Sequence, residues 1–255
     1  MRDMIFIHGM FQNAKSWENW IAYFEDRDYH CIAPSWPLHE GDPGYLKENP
    51  PEGLGELGLE DVLDKIETLV NDYEQPIVIG HAVGGLIAQL LLHKGLAKIA
   101  VAINSVAPNG MLDFDFNFMK YVSQIINPLK GNEPVFLEAR TFHQAFANTL
   151  TEEDATEAYL KYATHDSRNV LRDCMGKAGR IETHYGHGPL LLIASEKDHI
   201  IPAALVEKNF KAYKDKESIV AMKEFSNRSH YICGEPDWEE VADYIYYWLE
   251  DHEEL

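Results

Sequence analysis

The feature that most restricts the fold of this chain is the alternation of short apolar runs with amphipathic stretches. The apolar runs are typical of strands buried on both faces, and the stretches between them repeat apolar residues every three or four positions, as helices do. The predicted strands are Met4–Ile7, Tyr29–Ala33, Pro76–Gly80, Ile99–Asn104, Leu190–Ala194 and Ser218–Phe225. This alternation predicts an α/β fold, with a mostly parallel central sheet flanked by helices.

The alternation breaks between residues 107 and 188. This stretch shows only helical patches, such as Glu152–Ala163, among Pro, Gly and Asn. We therefore predict a helical cap inserted into the sheet domain. Residues 1–106 and 189–255 would form the core, and residues 107–188 the cap or lid. A chain of 255 residues is long enough for one such domain with an insertion.

The charge balance excludes several classes of partner. There are 22 Lys and Arg residues against 42 Asp and Glu residues, a formal net charge of −20. A surface this acidic repels phosphate backbones and anionic lipids, so we expect neither nucleic acid nor a membrane as partner. The N-terminus lacks the long apolar stretch of a signal peptide, and the three scattered cysteines fit no metal-ligand spacing. We predict a cytoplasmic protein with no metal and no cofactor.

A glycine-rich segment, Gly80-His-Ala-Val-Gly-Gly85, lies where a strand should give way to a helix. A very sharp strand–turn–helix needs small residues two positions before and after its central residue, because the helix passes close to the strand. The segment resembles the Gly-x-Ser-x-Gly nucleophile elbow of the α/β-hydrolases, except that Ala82 stands where that family has serine. A phosphate-binding loop is disfavoured, since the Gly-Lys-Ser/Thr ending and the Gly-x-Gly-x-x-Gly spacing are both absent.

Two later positions strengthen the resemblance, which extends over the whole chain. In the family the nucleophile, acid and histidine follow one another in that order, with the acid after a late strand and the histidine after the last one. Asp198 and His230 each come just after a predicted strand, in that order. The resemblance therefore implies that Ala82 occupies the nucleophile position, that Asp198 is the acid and that His230 is the base.

The turn after the first predicted strand reads His8-Gly-Met-Phe11. In the family a His-Gly-x turn at this place supplies one backbone N–H of the oxyanion hole, and the residue after the nucleophile supplies the other. By position these donors are Met10 and Val83. A single good donor of this kind stabilises the transition state by ~3–4 kcal/mol.

The stretch Ala102-Ile-Asn-Ser-Val-Ala-Pro108 resembles the branch that contains hydroxynitrile lyases and methylesterases. The lyase chemistry also uses a lysine directly after the catalytic histidine, and Tyr231 stands there instead. We therefore expect a small to medium ester or lactone as substrate, in a pocket between the strand ends and the cap with Ala82 at its floor. The expected substrate-binding residues are Phe11, Trp36, Ser105, Met111, Phe114 and Phe118. The same residues are expected if they only form the core of the cap.

The alanine at position 82 removes the side chain on which acyl transfer depends. Loss of a triad nucleophile costs ~10⁶ in turnover, whereas substrate binding can survive. We interpret Ala82 as an engineered replacement of serine in a hydrolase, monomeric or homodimeric, that works through an acyl-enzyme. Two alternatives stay open: a natural ligand sensor without activity, and a cofactor-free dioxygenase that uses the pair of His230 and Asp198 as a base.

Overall fold

The computed structural model describes residues 2–108, 122–123 and 125–252. Its centre is a six-stranded parallel sheet with the order β2-β1-β3-β4-β5-β6. The strands are β1 (Arg2–Ile7), β2 (Tyr29–Ile32), β3 (Ile77–His81), β4 (Ile99–Ile103), β5 (Leu190–Ser195) and β6 (Val220–Phe225). The predicted α/β fold is confirmed, and all six predicted strands are present with ends shifted by one or two residues.

Helices connect the strands and fill the segment between β4 and β5. They are α1 (Glu18–Glu25), α2 (Pro43–Glu48), α3 (Leu59–Val70), α4 (Val83–His93), α5 (Ala139–Thr141), α6 (Glu152–Tyr162), α7 (Arg168–Cys174), α8 (Ala203–Ala212) and α9 (Glu239–His252). Helix α5 continues into a π-helix at Phe142–Phe146, and 3₁₀ turns occur at Ala14–Trp17, Leu54–Glu56 and Pro128–Lys130. No helix in this described part of the chain is long and apolar enough to cross a membrane.

The apolar run of β1 fills two layers of core at once. Ile5 and Ile7 pack in a cluster with α3 and α4, whereas Met4 and Phe6 pack in a second cluster with α1 and α9. All four side chains are fully buried. Because successive side chains of a strand point to opposite faces, a continuous apolar run is what a strand covered on both sides requires.

The described part of the segment between β4 and β5 contains helices α5, α6 and α7, joined by turns and loops. Its only extended pairing among those residues is an isolated antiparallel bridge between Val135 and Asp166. The helical cap over residues 107–188 remains a prediction. Three of the expected substrate-binding residues, Met111, Phe114 and Phe118, lie outside the described residues.

The order of the strands determines where a ligand site belongs. The strand order reverses around β1, which pairs with both β2 and β3, and open α/β sheets bind ligands at the carboxyl ends of strands beside such a reversal. Ile7 is the register partner of Gly80, so the turn after β1 and the turn after β3 leave the sheet side by side. The loops after β5 and β6 open at the same edge.

Candidate active site

The turn after β3 is a strained elbow centred on Ala82. This residue has φ 53° and ψ −113°, a conformation that a side-chain-bearing residue adopts only when its surroundings enforce it. Its N–H donates to the carbonyl of Ile103 at 2.9 Å, and its own carbonyl accepts from Val106 at 3.1 Å. Helix α4 begins at the next residue, so the Ala82 methyl group sits between the strand end and the helix N-terminus.

Glycine is required on both sides of this elbow. A Cβ atom at Gly80 would lie 2.0 Å from the carbonyl oxygen of Gly84, and one at Gly84 would lie 2.1 Å from that of Ile7. Both contacts are with backbone, which cannot move aside as a flexible side chain can. The helix therefore crosses the strand as closely as the sequence pattern predicts.

Asp198 and His230 meet at the ends of β5 and β6. The Nδ1 atom of His230 lies 2.7 Å from Oδ2 of Asp198, and both side chains are buried. The other carboxylate oxygen accepts the N–H groups of Ile200 and Ile201 at 2.7 and 2.8 Å. Because a carboxylate only accepts, Nδ1 of His230 carries the hydrogen and Nε2 is left as the basic nitrogen.

Two neighbours hold the His230 loop in place. His81 donates from Nε2 to the carbonyl oxygen of His230 at 2.8 Å, and the two rings lie 4.7 Å apart. The buried carboxylate of Glu235 accepts the N–H of Ser229 at 2.8 Å. Neither His81 nor Glu235 was predicted as a site residue, because a histidine beside the elbow or an acid in a late loop carries no sequence signal of this function.

The turn after β1 faces the elbow. A Cβ atom at Gly9 would lie 2.9 Å from that of Ala82, so the turn and the elbow are in close contact. Phe11 takes the left-handed value φ 63°, which bends the chain immediately after Met10. In the part of the chain that the structure describes, the N–H groups of Met10 and Val83 donate to no other group.

A cavity of about 40 Å³ lies over the Ala82 methyl group. We call it the elbow cavity. It is lined by Met10, Phe11, Ala82, Val83, Val106, Val122, Ile125, Phe146, Leu171, Ile200, Ile201 and His230. Apart from His230, every one of these side chains is apolar, so His230 is the one ionisable group among them.

A larger cavity of about 540 Å³ adjoins the elbow cavity, and it shares the lining residues Phe11, Ile125, Phe146 and Ile200. Its outer lining includes Lys130. The expectation that the main pocket has Ala82 at its floor is therefore wrong in one respect. Ala82 lines the small inner cavity, and the larger space lies beyond the aromatic pair of Phe11 and Phe146, whose rings are 5.7 Å apart and nearly perpendicular.

Comparison with known proteins places this geometry in a family. Residues 4–244 match the model of the alpha/beta hydrolase family. The chain is an alpha/beta hydrolase. No curated protein sequence matches this hydrolase closely enough to be reported as a relative.

Solved structures resemble this alpha/beta hydrolase over nearly its whole length. A monoacylglycerol lipase from Paleococcus ferrophilus is 20% identical, with a TM-score of 0.72 over 98% of this chain and 94% of the lipase. A pyrethroid hydrolase from Sphingobium faniae is 19% identical, with a TM-score of 0.73 over 100% and 99%. Tomato methylketone synthase I is 13% identical, with a TM-score of 0.74 over 98% of each chain. At these identities the likeness establishes the fold alone.

The structure of the hydrolase brings together most of the predicted site residues that it describes. Ala82, His230, Met10, Val83 and Phe11 all line the elbow cavity, and Asp198 lies behind His230.

Two of the expected substrate-binding residues lie elsewhere. Trp36 is fully buried and stacks on His8, with ring centres 4.6 Å apart. Ser105 is fully buried behind the elbow, where it accepts from Gln89 at 2.7 Å and a Cβ at Gly85 would touch it. Both are corrections to the sequence-based expectation, since neither lines the elbow cavity. In an apolar stretch the same residue types occur in the core and in the lining of a pocket, so the sequence could not distinguish the two locations.

Proposed function

We propose that this alpha/beta hydrolase is a serine-type carboxylic ester hydrolase in which alanine occupies the nucleophile position. The chain as it stands would bind a small to medium ester or lactone without cleaving it. One observation carries the proposal: Ala82, at the strained elbow, lines the same cavity as His230, Met10 and Val83, and His230 is hydrogen-bonded to Asp198 behind it. A hydroxyl at position 82 would complete the proposed triad.

The mechanism follows from these positions. In the Ala82→Ser variant the new hydroxyl oxygen attacks the ester carbonyl carbon while Nε2 of His230 takes its proton. The carbonyl oxygen becomes an oxyanion, which the N–H groups of Met10 and Val83 stabilise. Collapse of this intermediate expels the alcohol, protonated by His230, and leaves an acyl-enzyme. Water, deprotonated by His230, then releases the carboxylic acid and restores the hydroxyl.

Asp198 has two tasks in this scheme. Its Oδ2 atom holds the hydrogen of His230 on Nδ1, so the imidazole presents Nε2 as the base, and its negative charge stabilises the imidazolium that forms. The N–H groups of Ile200 and Ile201 fix the other oxygen, so the carboxylate cannot rotate away.

The lining of the elbow cavity supports an apolar group beside the reacting carbonyl, whereas the larger cavity also has the charged residues Lys130, Glu133, Glu138 and Arg168 in its lining. The reacting carbonyl would occupy the elbow cavity, whose volume of about 40 Å³ suits a small group, and the larger part of the molecule would extend into the adjoining space of about 540 Å³. Phe11 and Phe146 stand at the junction, where they would pack against an alkyl or aromatic group.

The Ala82→Ser variant tests the proposal. It should hydrolyse p-nitrophenyl esters or simple lactones at least 10³-fold faster than the chain as it stands, and it should react with a fluorophosphonate. Ala82→Ser combined with His230→Gln is the matched control, which should lose both properties. Failure of the variant to react, together with ligand binding by the alanine form, would favour a ligand sensor. Oxygen consumption by the alanine form would favour a cofactor-free dioxygenase.

A second candidate function needs no nucleophile, namely decarboxylation of a β-keto acid. Tomato methylketone synthase I has been crystallised with 2-tridecanone, and a variant of it with β-ketoheptanoate. The observation that favours this function here is the elbow cavity, where His230 is the one ionisable side chain among the lining residues that the structure describes. Loss of CO₂ breaks the bond between the α-carbon and the carboxylate carbon, and its electron pair forms an enolate, whose charge the Met10 and Val83 N–H groups would stabilise. His230, after its Nε2 atom takes a proton from solvent water, would then give that proton to the α-carbon.

This second function is tested with the chain as it stands. Incubation with 3-oxo acids of increasing chain length should release CO₂ and the matching methyl ketone well above the spontaneous rate. His230→Gln should abolish the gain, whereas exchange of the exposed His184 should leave it unchanged. Release at the spontaneous rate for every chain length would eliminate this candidate.

A further inference from the structure

A second buried histidine–aspartate pair lies behind the turn that follows β1. Nε2 of His39 is 3.4 Å from Oδ2 of Asp166, and both side chains are almost completely buried, at 1% and 0% exposed. The sequence alone gave no indication that either residue is buried. The structure instead buries both, which is expensive for ionisable groups unless they are paired.

The Asp166 carboxylate is bonded to the turn itself. Its Oδ2 atom accepts the N–H of Phe11 at 2.8 Å, and its Oδ1 atom accepts that of Ser167 at 2.7 Å. Two residues earlier, the N–H of Thr164 donates to the carbonyl of Phe11 at 2.9 Å. Thr164 and Asp166 therefore bind both backbone groups of Phe11, its carbonyl and its N–H.

The surroundings of His39 indicate that it is the imidazolium. Its Nδ1 atom is 2.9 Å from the carbonyl oxygen of Pro37, and its Nε2 atom faces the Asp166 carboxylate, so each ring nitrogen faces an acceptor. At 3.4 Å the contact with Asp166 is a charge–charge contact rather than a well-formed hydrogen bond. Burial lowers the pKa of His39, but the charge and the acceptor oxygen of Asp166, the carbonyl of Pro37 and the charge of Glu40 together outweigh it, and the net shift of the pKa is upward.

The other ionisable neighbours agree with this assignment. His8 begins the turn, and its Nε2 atom accepts the N–H of Trp36 at 3.0 Å, which requires neutral imidazole. Burial, and next the charge of His39, lower the pKa of His8 well below its usual range. Glu40 also raises the pKa of His39, and Glu40 is itself paired with Lys65 near the surface.

We propose that Asp166 and His39 are a positioning pair that holds the turn after β1 in the shape that aims the Met10 N–H at the reacting oxygen. The inference rests on the proposed function for the role of that N–H. Asp166 provides the acceptor that keeps Phe11 in its left-handed conformation, and His39 provides the facing positive charge that offsets the cost of burying a carboxylate. Neither residue touches the substrate.

Amide exchange tests the grip on the turn in the chain as it stands. Asp166→Asn and Asp166→Ala should speed exchange at least tenfold for two amides, that of Phe11 and that of Trp36, which reports on the start of the turn through His8. Asp173→Ala is the matched control, because Asp173 also accepts the amide of a buried residue, that of Leu59 at 3.0 Å, and Leu59 is not part of the turn. Faster exchange at Phe11 alone would show the loss of one bond and would overturn the proposal.

Kinetics in the Ala82→Ser background test the consequence. Asp166→Ala should lower kcat for a p-nitrophenyl ester 10- to 100-fold with KM changed less than threefold, because one oxyanion donor is misdirected and ground-state binding is not. Asp166→Asn, which keeps an acceptor but not the charge, should recover part of the loss, and Asp173→Ala should leave kcat within twofold. If the Ala82→Ser variant is active and the added Asp166→Ala does not change its kcat, the positioning pair is contradicted and the proposed function is not. A variant that never reacts contradicts the proposed function, and amide exchange then decides on the pair.

Discussion

The imidazole of His81 donates from Nε2 to the carbonyl oxygen of His230 at 2.8 Å, so the residue before the elbow fixes the backbone of the residue that serves as base. His81 is buried, and its Nδ1 atom has no hydrogen-bond partner in the described chain. Burial first, and then the neighbouring His230, lower the pKa of His81 to about 3. The folded protein therefore keeps His81 neutral over a pH range in which a free histidine is protonated, and this connects the stability of the fold to pH.

This connection predicts the sign of a pH effect. Between pH 6.5 and about 3 the unfolded chain binds a proton at His81 that the folded chain does not, so the free energy of unfolding should fall as the pH falls through this window. His81→Gln, which keeps an amide donor, should flatten the slope between pH 6 and 4.5 by at most ~1.4 kcal/mol per pH unit. Urea unfolding at several pH values measures it. His184→Gln, at an exposed histidine, is the control, and equal slopes in both variants would contradict the prediction.

Asp198→Asn in the Ala82→Ser background should lower kcat by ~10⁴ and change KM little. The N–H groups of Ile200 and Ile201 would hold the new amide oxygen, which turns its NH₂ group toward Nδ1 of His230. Nδ1 would then become the acceptor and Nε2 would carry the hydrogen, so the base is lost without loss of shape. Ester hydrolysis and the melting temperature measure the two effects. Retention of more than a tenth of kcat would show that Asp198 is not the orienting group.

Gly84→Ala should destabilise the fold by about 3 kcal/mol or more. The new Cβ would lie 2.1 Å from the carbonyl oxygen of Ile7, so α4 must move away from β1. Gly186→Ala is the matched control, since its Cβ would have only an ordinary contact of 3.9 Å with Asp215. Denaturant unfolding measures both, and a change below 1 kcal/mol at Gly84 would show that the elbow is looser than described.

Phe146→Ala should join the two cavities, because Phe146 lines both and stands edge-on to His230 at 5.1 Å. In the Ala82→Ser background we expect a shift of kcat/KM toward longer acyl chains and a loss of about 3–5 kcal/mol of stability. Phe136 lines the larger cavity but not the elbow cavity, and it is 57% exposed. Phe136→Ala is therefore the control, and it should lower the free energy of unfolding by less than about 1 kcal/mol. If kcat/KM depends on acyl-chain length in the same way after Phe146→Ala, the substrate does not extend into the larger cavity.

The sequence by itself determined the parts of this protein that depend on local pattern. Apolar runs determine strands, because the part of a strand that is covered on both faces needs apolar side chains at every position, and Met4–Ile7 of β1 show this. Small residues around Ala82 determine the elbow, because any Cβ at Gly80 or Gly84 would meet backbone. The chain order of Asp198 and His230 was readable because parallel strands bring their loops to one edge.

Only the tertiary structure decided which residues meet across long stretches of chain. Asp166 contacts Phe11 although 155 positions separate them, and the contact depends on how the segment between β4 and β5 folds back on the sheet. Trp36 and Ser105 were expected in the pocket and are buried behind it, because local sequence specifies that a side chain is buried and does not specify which surface buries it. Burial against a distant segment is a property of the whole packing, and no local pattern encodes it.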